Sequence, residues 1–324
     1  MTDFERRLED LRRQAAADGR VDADGIRPAG APLPAPAAAA GGSEYYGLPL
    51  LKAPVWTWEV PAYFFAGGAA GAAAVIAAVA RATGGRPDIV RDARWIAAAG
   101  AVVCPPLLIA DLGRPERFLN MLRVVKLQSP MSVGAWTLVA FSTGASAAAF
   151  AEVAGRWSGG RGPVQVLGDA GGALAAATGV VLSTYTGVLI GATAIPVWSR
   201  NVALLPIHFG SSGVGAAVSI LELIGHQDRA LNAIGIGAAA IETAIGVSLE
   251  LRADAALDPL KHGWSGAVTR AGGVLSGPVP LGLRLLGRRS PTARRLAALS
   301  TILGSVLTRT GWMAAGRAAP HSTQ

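Results

Sequence analysis

The chain has 324 residues, of which 51% are hydrophobic and only 15% are charged, and its mean hydropathy is +0.40. Repeated long apolar runs with this composition exclude a soluble enzyme and a disordered chain, and they indicate a polytopic membrane protein. The net charge of +8 and the isoelectric point near 10.5 would fit nucleic-acid binding, but the arginines concentrate between the apolar segments, as in membrane proteins. We therefore expect no nucleic-acid partner.

The N-terminal part of the chain is predicted to lie outside the membrane. Residues 1–20 are charged and can form a short amphipathic helix, and residues 28–42 are rich in Pro, Ala and Gly, a linker composition. A basic start followed by an apolar core is missing here, so we expect no cleavable signal peptide. The predicted organisation is an extramembrane arm and linker at 1–44, a transmembrane domain at 45–315 and a C-terminal tail at 316–324.

The transmembrane domain is predicted to be an all-α bundle of about eight helices, since each crossing needs about 20 apolar residues. The segments fall roughly at 59–81, 93–112, 132–154, 165–190, 201–225, 230–251, 265–287 and 295–315. The seventh contains Arg270, Arg284 and the interruption Gly277-Pro278-Val279-Pro280. We expect this helix to be broken, tilted or shielded by its neighbours, because lipid does not satisfy exposed backbone or charge.

The few cysteines and histidines limit the redox groups that this chain can hold. Cys104 is the single cysteine, so it cannot form an internal disulfide, and an iron–sulfur cluster typically takes about four thiolates. His208 and His226 are predicted at opposite ends of one helix, whereas a haem of the b type needs paired axial ligands at one depth. We expect no metal site, no haem and no iron–sulfur cluster in this chain.

Polar and aromatic residues are predicted to gather at one membrane face, because each lies near a helix end on the same side. They are Glu59, Tyr63, Asp111, Arg114, Tyr185, Thr186, Trp198 and His208. This set suits a quinone: aromatic side chains can flank the ring, hydroxyl and imidazole groups can hydrogen-bond its carbonyls, and the acids can accept protons. The alternatives are an interfacial aromatic belt, a packing role for His208, and a role for Arg114 in docking a partner.

A second polar set is predicted deeper in the membrane. Glu242 lies near the middle of an apolar segment, where a charge is costly unless it is paired or protonated. We consider three roles for it: an ion pair with Arg309, a proton relay towards Glu222 and Glu152, or structural contacts between helices. Glu242 is therefore a candidate for proton transfer, together with Glu59 and Asp111.

Three regions of the sequence resemble the NrfD/PsrC family, the polysulfide-reductase-type membrane subunits. Residues 61–71, PAYFFAGGAAG, resemble the first-helix signature of the family. Residues 111–118, DLGRPERF, followed by 129–136, SPMSVGAW, resemble its best-known motif. Residues 184–190, TYTGVLI, leading to 194–198, AIPVW, resemble a third motif.

This resemblance spans roughly residues 45–315 and implies an eight-helix membrane anchor that exchanges electrons with the quinone or menaquinone pool. The implied partners are a ferredoxin-like 4Fe–4S subunit and usually a molybdopterin catalytic subunit, so the chain would be one subunit of an oxidoreductase complex in the cell membrane. Tyr185 matches the tyrosine that contacts quinone in the family, Asp111 and Arg114 match its acid and arginine, and Arg309 resembles its last-helix arginine. Glu59 stands nearest a position where some members carry His or Asn.

Two further functions stay open at this point. An ion or solute transporter would use a broken helix and a charge near the membrane midplane. A proton-translocating subunit without its own quinone site would use the deeper acids. The polar set concentrated at one membrane face favours the quinone-linked subunit over the transporter.

Overall fold

The computed structural model of the protein describes residues 54, 56–112, 116, 118–158, 162–287 and 290–319, and this part of the chain contains helices and no strand. Apart from short helices of three or four residues, the helices are α1 (Glu59–Ala82), α2 (Pro87–Asp111), α3 (Pro130–Ser158), α4 (Pro163–Gly191), α5 (Leu204–Ile224), α6 (Arg229–Leu251), α7 (Gly263–Ser276), α8 (Pro278–Leu286) and α9 (Pro291–Ala318). The prediction of an all-α bundle is confirmed. The predicted arm at 1–44, Arg114 and the last residues of the tail lie outside the described residues.

Six of these helices, α1 to α6, are long and apolar enough to cross a membrane, which confirms a polytopic membrane protein. The eighth predicted segment corresponds to α9, whose 28 residues span about 42 Å at 1.5 Å per residue. This helix is long enough to cross but more polar than the six, since it carries Arg294, Arg295 and Arg309.

The seventh predicted segment is broken, as its sequence indicates. The helix α7 ends at Ser276 and α8 begins at Pro278, with Gly277 between them at φ −106° and ψ −97°. Pro278 has no backbone N–H to continue the hydrogen bonds of α7. The break lies against α6, where the hydroxyl of Ser276 donates to the carboxylate of Glu242 at 3.0 Å. The interruption thus brings a polar group to a buried acid.

The helices begin at residues of two kinds. One kind is proline, which has no backbone N–H, and the other is a residue whose side-chain oxygen accepts a hydrogen bond from a backbone N–H of the first turn. Five of the helices α1 to α9 begin with proline, whose missing N–H costs nothing in the first turn: Pro87, Pro130, Pro163, Pro278 and Pro291. Asp228 caps α6 by accepting from the backbone N–H of Ala230 at 2.7 Å, and Ser290 caps α9 in the same way. These signals place the helix ends at the two membrane faces.

The first four long helices pack as one antiparallel group, and α5 to α9 pack as a second, with α5 in contact with both. One close approach is between α1 and α4, where a Cβ on Gly71 would lie 2.5 Å from the carbonyl oxygen of Gly179. Small residues of this kind let helices pack closely in lipid, where the hydrophobic effect does not drive association. The end of the bundle at which α1 begins and α2 ends is called face A below.

Candidate functional site

A narrow cleft of about 40 Å³ opens at face A between α1, α2, α3 and α4. Its polar side chains are Tyr63, Asp111 and Tyr185, and we call it the tyrosine cleft. The remaining lining is mostly apolar: Trp56, Val60, Phe64, Leu107, Leu108, Met121, Met131, Gly134, Ala135 and Leu189. An apolar cleft with a few convergent polar groups is the usual form of a small-molecule site.

The two tyrosines of the cleft are buried yet keep their hydroxyl groups unpaired. Tyr63 is 3% exposed and Tyr185 is 6% exposed. Within the described residues, neither phenol hydroxyl makes a hydrogen bond to another protein group. A phenol hydroxyl that lines a cleft without a protein partner is available to donate a hydrogen bond to a ligand carbonyl.

The position of Tyr185 depends on a glycine of the facing helix. A Cβ on Gly134 of α3 would overlap the phenol ring of Tyr185, so only glycine leaves room for the ring in this orientation. Residue-by-residue reading of the sequence missed Gly134, although it belongs to the motif at 129–136 that carries the family resemblance. The motif glycine therefore has a packing role at the cleft.

One wall of the cleft is held by stacked indole rings. Trp56 lines the cleft and stacks on Trp198, with ring centroids 5.6 Å apart and an interplanar angle of 18°. Trp198 is fully buried, and its indole N–H donates to the backbone carbonyl of Trp312 at 2.9 Å. Trp198 thus supports the wall from behind instead of lining the cleft as the sequence analysis expected.

Two other predicted residues lie close to the cleft without lining it. Glu59 is partly buried at the start of α1 and accepts a hydrogen bond from the hydroxyl of Thr57. Thr186 is 1% exposed, and its hydroxyl has no partner among the described residues. The structure therefore brings together Tyr63, Asp111 and Tyr185 from the predicted set.

His208 belongs to a different site, which it shares with Glu242. The Nδ1 atom of His208 lies 3.1 Å from Oε1 of Glu242, and the two side chains are 5% and 2% exposed. The hydroxyls of Ser211 and Ser276 donate to the same carboxylate at 2.5 Å and 3.0 Å. These contacts satisfy a buried acid by hydrogen bonds from two neighbouring helices, α5 and α7, as buried charges require.

The arginine of the last helix has partners other than Glu242. Arg309 is fully buried and donates to the hydroxyls of Ser212 and Ser305 at 2.8 Å and 2.5 Å and to the backbone carbonyl of Phe209 at 3.2 Å. Its guanidinium lies 5.3 Å from the centroid of the Phe209 ring, a cation–π contact. Of the alternatives weighed for Glu242, the structure shows contacts with His208 and two serines and no direct bond to Arg309.

The other acids of the deeper set are engaged by arginines. Glu222 and Arg284 are both fully buried and form an ion pair at 2.7 Å, and Arg94 pairs with Glu152 at 2.7 Å. Arg284 is the charge that makes the seventh segment difficult as a membrane helix, and its counter-ion Glu222 was not predicted from the sequence. The signal was present, because an arginine in an apolar segment requires an acid at the same depth on a neighbouring helix.

The fold and the tyrosine cleft define a polytopic α-helical membrane protein with a candidate small-molecule site at one face. The sequence model of the family described as "Polysulphide reductase, NrfD" matches residues 50–231, which is more than half of the chain. The chain belongs to this family, and the resemblance stated from its motifs is confirmed. A search of curated proteins finds no match to this chain. All residues of the tyrosine cleft fall inside the matched range, whereas Glu242 and α7 to α9 fall outside it.

Proposed function

We propose that this protein is the quinone-binding membrane subunit of a multi-subunit respiratory oxidoreductase. It binds quinone or menaquinone in the tyrosine cleft and exchanges electrons with an iron–sulfur partner subunit in the plasma membrane. The observation that carries the proposal is the pair of buried tyrosines, Tyr63 and Tyr185, whose hydroxyls have no hydrogen-bond partner among the described residues and which share an apolar cleft with the carboxylate of Asp111.

The residues of the cleft match what a quinone head needs. The rings of Trp56 and Phe64 and the aliphatic lining suit the faces of the head, and the phenol of Tyr185 can donate to a carbonyl oxygen. When a quinol is oxidised, two electrons leave for the clusters of the partner and two protons are released. Asp111 at face A can accept a proton and pass it to solvent, because it lies at the end of α2 and is only partly buried.

The cleft is narrow, and its methionines provide room for the ring. Met121 and Met131 line it from the segment between α2 and α3 and from the start of α3. Methionine is flexible and fills irregular space, so these side chains can repack around a bound ring.

The segment that leads from Met121 to Met131 also suits a docked partner. It exposes Arg123 and Lys126 together with Leu127, whose exposed fraction is 79%. A partner with carboxylates facing these cations would place its nearest cluster beside the tyrosine cleft. We assign this surface to a ferredoxin-like 4Fe–4S subunit, which in turn would serve a molybdopterin catalytic subunit.

Replacing Tyr185 with Phe in the assembled complex tests the proposal. The variant loses one hydrogen bond to the quinone head, so we expect quinol-linked turnover to fall about tenfold, the equivalent of about 1.4 kcal/mol. Thr184→Ala is the matched control, because it removes a hydroxyl one residue away that bonds only to backbone carbonyls of α4 and faces another cavity. Unchanged turnover and unchanged quinone affinity in Tyr185→Phe would contradict the assignment.

A transporter is the second candidate, favoured by the break at Gly277 beside the buried carboxylate of Glu242. The two functions are separated by reconstituting the chain in vesicles without its partners. A transporter moves ions or solute under these conditions, whereas the quinone-binding subunit shows quinone binding and no flux.

A further inference from the structure

A second cavity of about 380 Å³ lies between α6, α7, α8 and α9 and shares no lining residue with the tyrosine cleft. His208, Glu242 and Thr308 line its inner end, and we call it the carboxylate cavity. Its outer wall includes Val247 and Val274, which are 52% and 49% exposed on the lipid-facing side of their helices. The cavity is therefore open sideways towards lipid and polar at its base.

The base of the cavity offers both a hydrogen-bond donor and acceptors. Thr308 is 1% exposed, and its hydroxyl has no hydrogen-bond partner among the described residues. Glu242 lines the same cavity, and its carboxylate is paired with the ring of His208. A buried hydroxyl without a protein partner is costly, and a polar ligand group in this cavity can form the missing hydrogen bond.

The charges around the cavity disfavour an anionic phospholipid head as its ligand. The ammonium of Lys261 donates to the backbone carbonyls of Glu250 and Arg252 at 3.1 Å and 2.6 Å. Arg270 forms two hydrogen bonds to the carboxylate of Glu250 at 2.6 Å and 2.9 Å. These cations are already occupied, and a phosphate at the base would lie beside the carboxylate of Glu242, where like charges repel.

We propose that the carboxylate cavity is a second site for a quinol or quinone head, held by Thr308, His208 and Glu242. A quinol hydroxyl can donate to the carboxylate or imidazole while it accepts from Thr308, and its isoprenoid tail leaves through the apolar lateral opening. The choice of a quinone as the ligand rests on the proposed function. The geometry of the cavity does not, because the cavity is independent of the tyrosine cleft.

Aromatic residues separate the two sites. Trp312 lies edge-on to His208 with ring centroids 6.1 Å apart, and its carbonyl accepts from Trp198, which stacks on Trp56 in the wall of the tyrosine cleft. This wall explains why two residues at similar depth, His208 and Tyr185, face different cavities.

A larger side chain at Gly246 tests the proposal, because it fills the cavity without disturbing the fold. It lines the cavity, and a Cβ at this position would meet no atom within 4 Å, so Gly246→Leu places a side chain in open space. Gly237 is the matched control: it lies on the same helix, a Cβ there also meets nothing within 4 Å, and it does not line the cavity. Both substitutions replace a poor helix former with a good one, so neither is expected to unfold α6.

The experiment measures photolabelling and stoichiometry with an azido-quinone analogue on the purified complex. Wild type and Gly237→Leu should bind two molecules per chain, with label on peptides of α1 or α4 and on peptides of α6 or α9. Gly246→Leu should lose the label on α6 and α9 and keep the other. Equal labelling of α6 and α9 in Gly246→Leu and wild type overturns the proposal. The proposal is also overturned if α6 and α9 carry no quinone label and Gly246→Leu instead displaces a bound phospholipid.

The same experiment separates this inference from the proposed function. In Tyr185→Phe the label on α1 and α4 should weaken while that on α6 and α9 persists. If wild type is labelled on α6 and α9 only, the tyrosine cleft loses its assignment and the second site stands. If it is labelled on α1 and α4 only, the second site is overturned and the proposed function stands.

Discussion

Gly134 of α3 faces Tyr185 of α4 so closely that any side chain at position 134 would overlap the phenol ring. The two residues belong to different sequence motifs, at 129–136 and 184–190, and meet only in the folded bundle. Their contact fixes the direction in which the hydroxyl of Tyr185 points into the tyrosine cleft. The motif glycine and the tyrosine therefore act as one unit.

Gly134→Ala should displace the ring of Tyr185 and lower quinol-linked turnover to a similar extent as Tyr185→Phe, because both remove the same hydrogen bond. Turnover of the two single variants and the double variant, measured on assembled complex, tests this coupling. We expect the double variant to be no worse than the more severe single one. Additive losses would show that Gly134 acts on something other than Tyr185.

Asp111→Asn should lower quinol oxidation about a hundredfold or more while quinone binding is retained, because an amide cannot accept the proton that a carboxylate takes. Turnover and quinone affinity of the complex are measured separately. Asp228→Asn serves as the control, since asparagine caps a helix as well as aspartate does and the residue lies at the opposite face. Full turnover in Asp111→Asn would remove Asp111 from the proton path.

Breaking the buried ion pair between Arg284 and Glu222 should destabilise the bundle. Both side chains are fully buried, so Arg284→Met leaves an unpaired carboxylate and should cost about 3–5 kcal/mol of unfolding free energy. The double variant Arg284→Met/Glu222→Leu should recover most of this loss, because no charge is left unpaired. Thermal unfolding in detergent measures both, and a double variant as unstable as the single one would contradict the argument.

Arg86→Met is the control for that prediction. Arg86 pairs with Asp88, but their side chains are 54% and 37% exposed. Water and salt screen such a pair, so its loss should leave the unfolding temperature almost unchanged. A large shift in this control would mean that removing any arginine destabilises the protein.

Asp254 provides a pH-dependent contribution to stability outside the membrane-spanning helices. The backbone N–H of Ala256 donates to its carboxylate at 3.0 Å and Arg200 donates at 2.6 Å, and these donors hold the pKa of Asp254 below its ordinary value. Because the pKa is lower in the folded state, the charged carboxylate stabilises the folded protein at pH values above the unfolded-state pKa of about 3.9. This stabilisation is lost as the pH falls through the pKa of the folded state.

Asp254→Asn should therefore unfold at a lower temperature than wild type at neutral pH, because it lacks the charge that Arg200 pairs with. The difference between the two unfolding temperatures should shrink as the pH falls below about 4. Unfolding scans across this range measure it. A difference that does not change with pH would show that the charge of Asp254 does not contribute.

The positions of the helices and the depth of their polar residues were predictable from the sequence. Apolar length marks each helix, proline marks several of the starts, and Gly277-Pro278 marks the break. Because a helix rises 1.5 Å per residue, the distance of Tyr185 or Asp111 from a helix end gives its depth in the membrane directly. Placing these residues at one face therefore needed no tertiary structure.

Which residues share a cavity was decided by the tertiary structure alone. His208 lies at the same face as Tyr185, yet it points to Glu242, and the partners of Glu242 are two serines and a histidine, and Arg309, one of the alternatives considered, bonds elsewhere. The physical reason is that neighbours depend on the rotation of each helix about its own axis. Packing of small residues such as Gly71 against Gly179 sets that rotation, and depth along a helix carries no information about it.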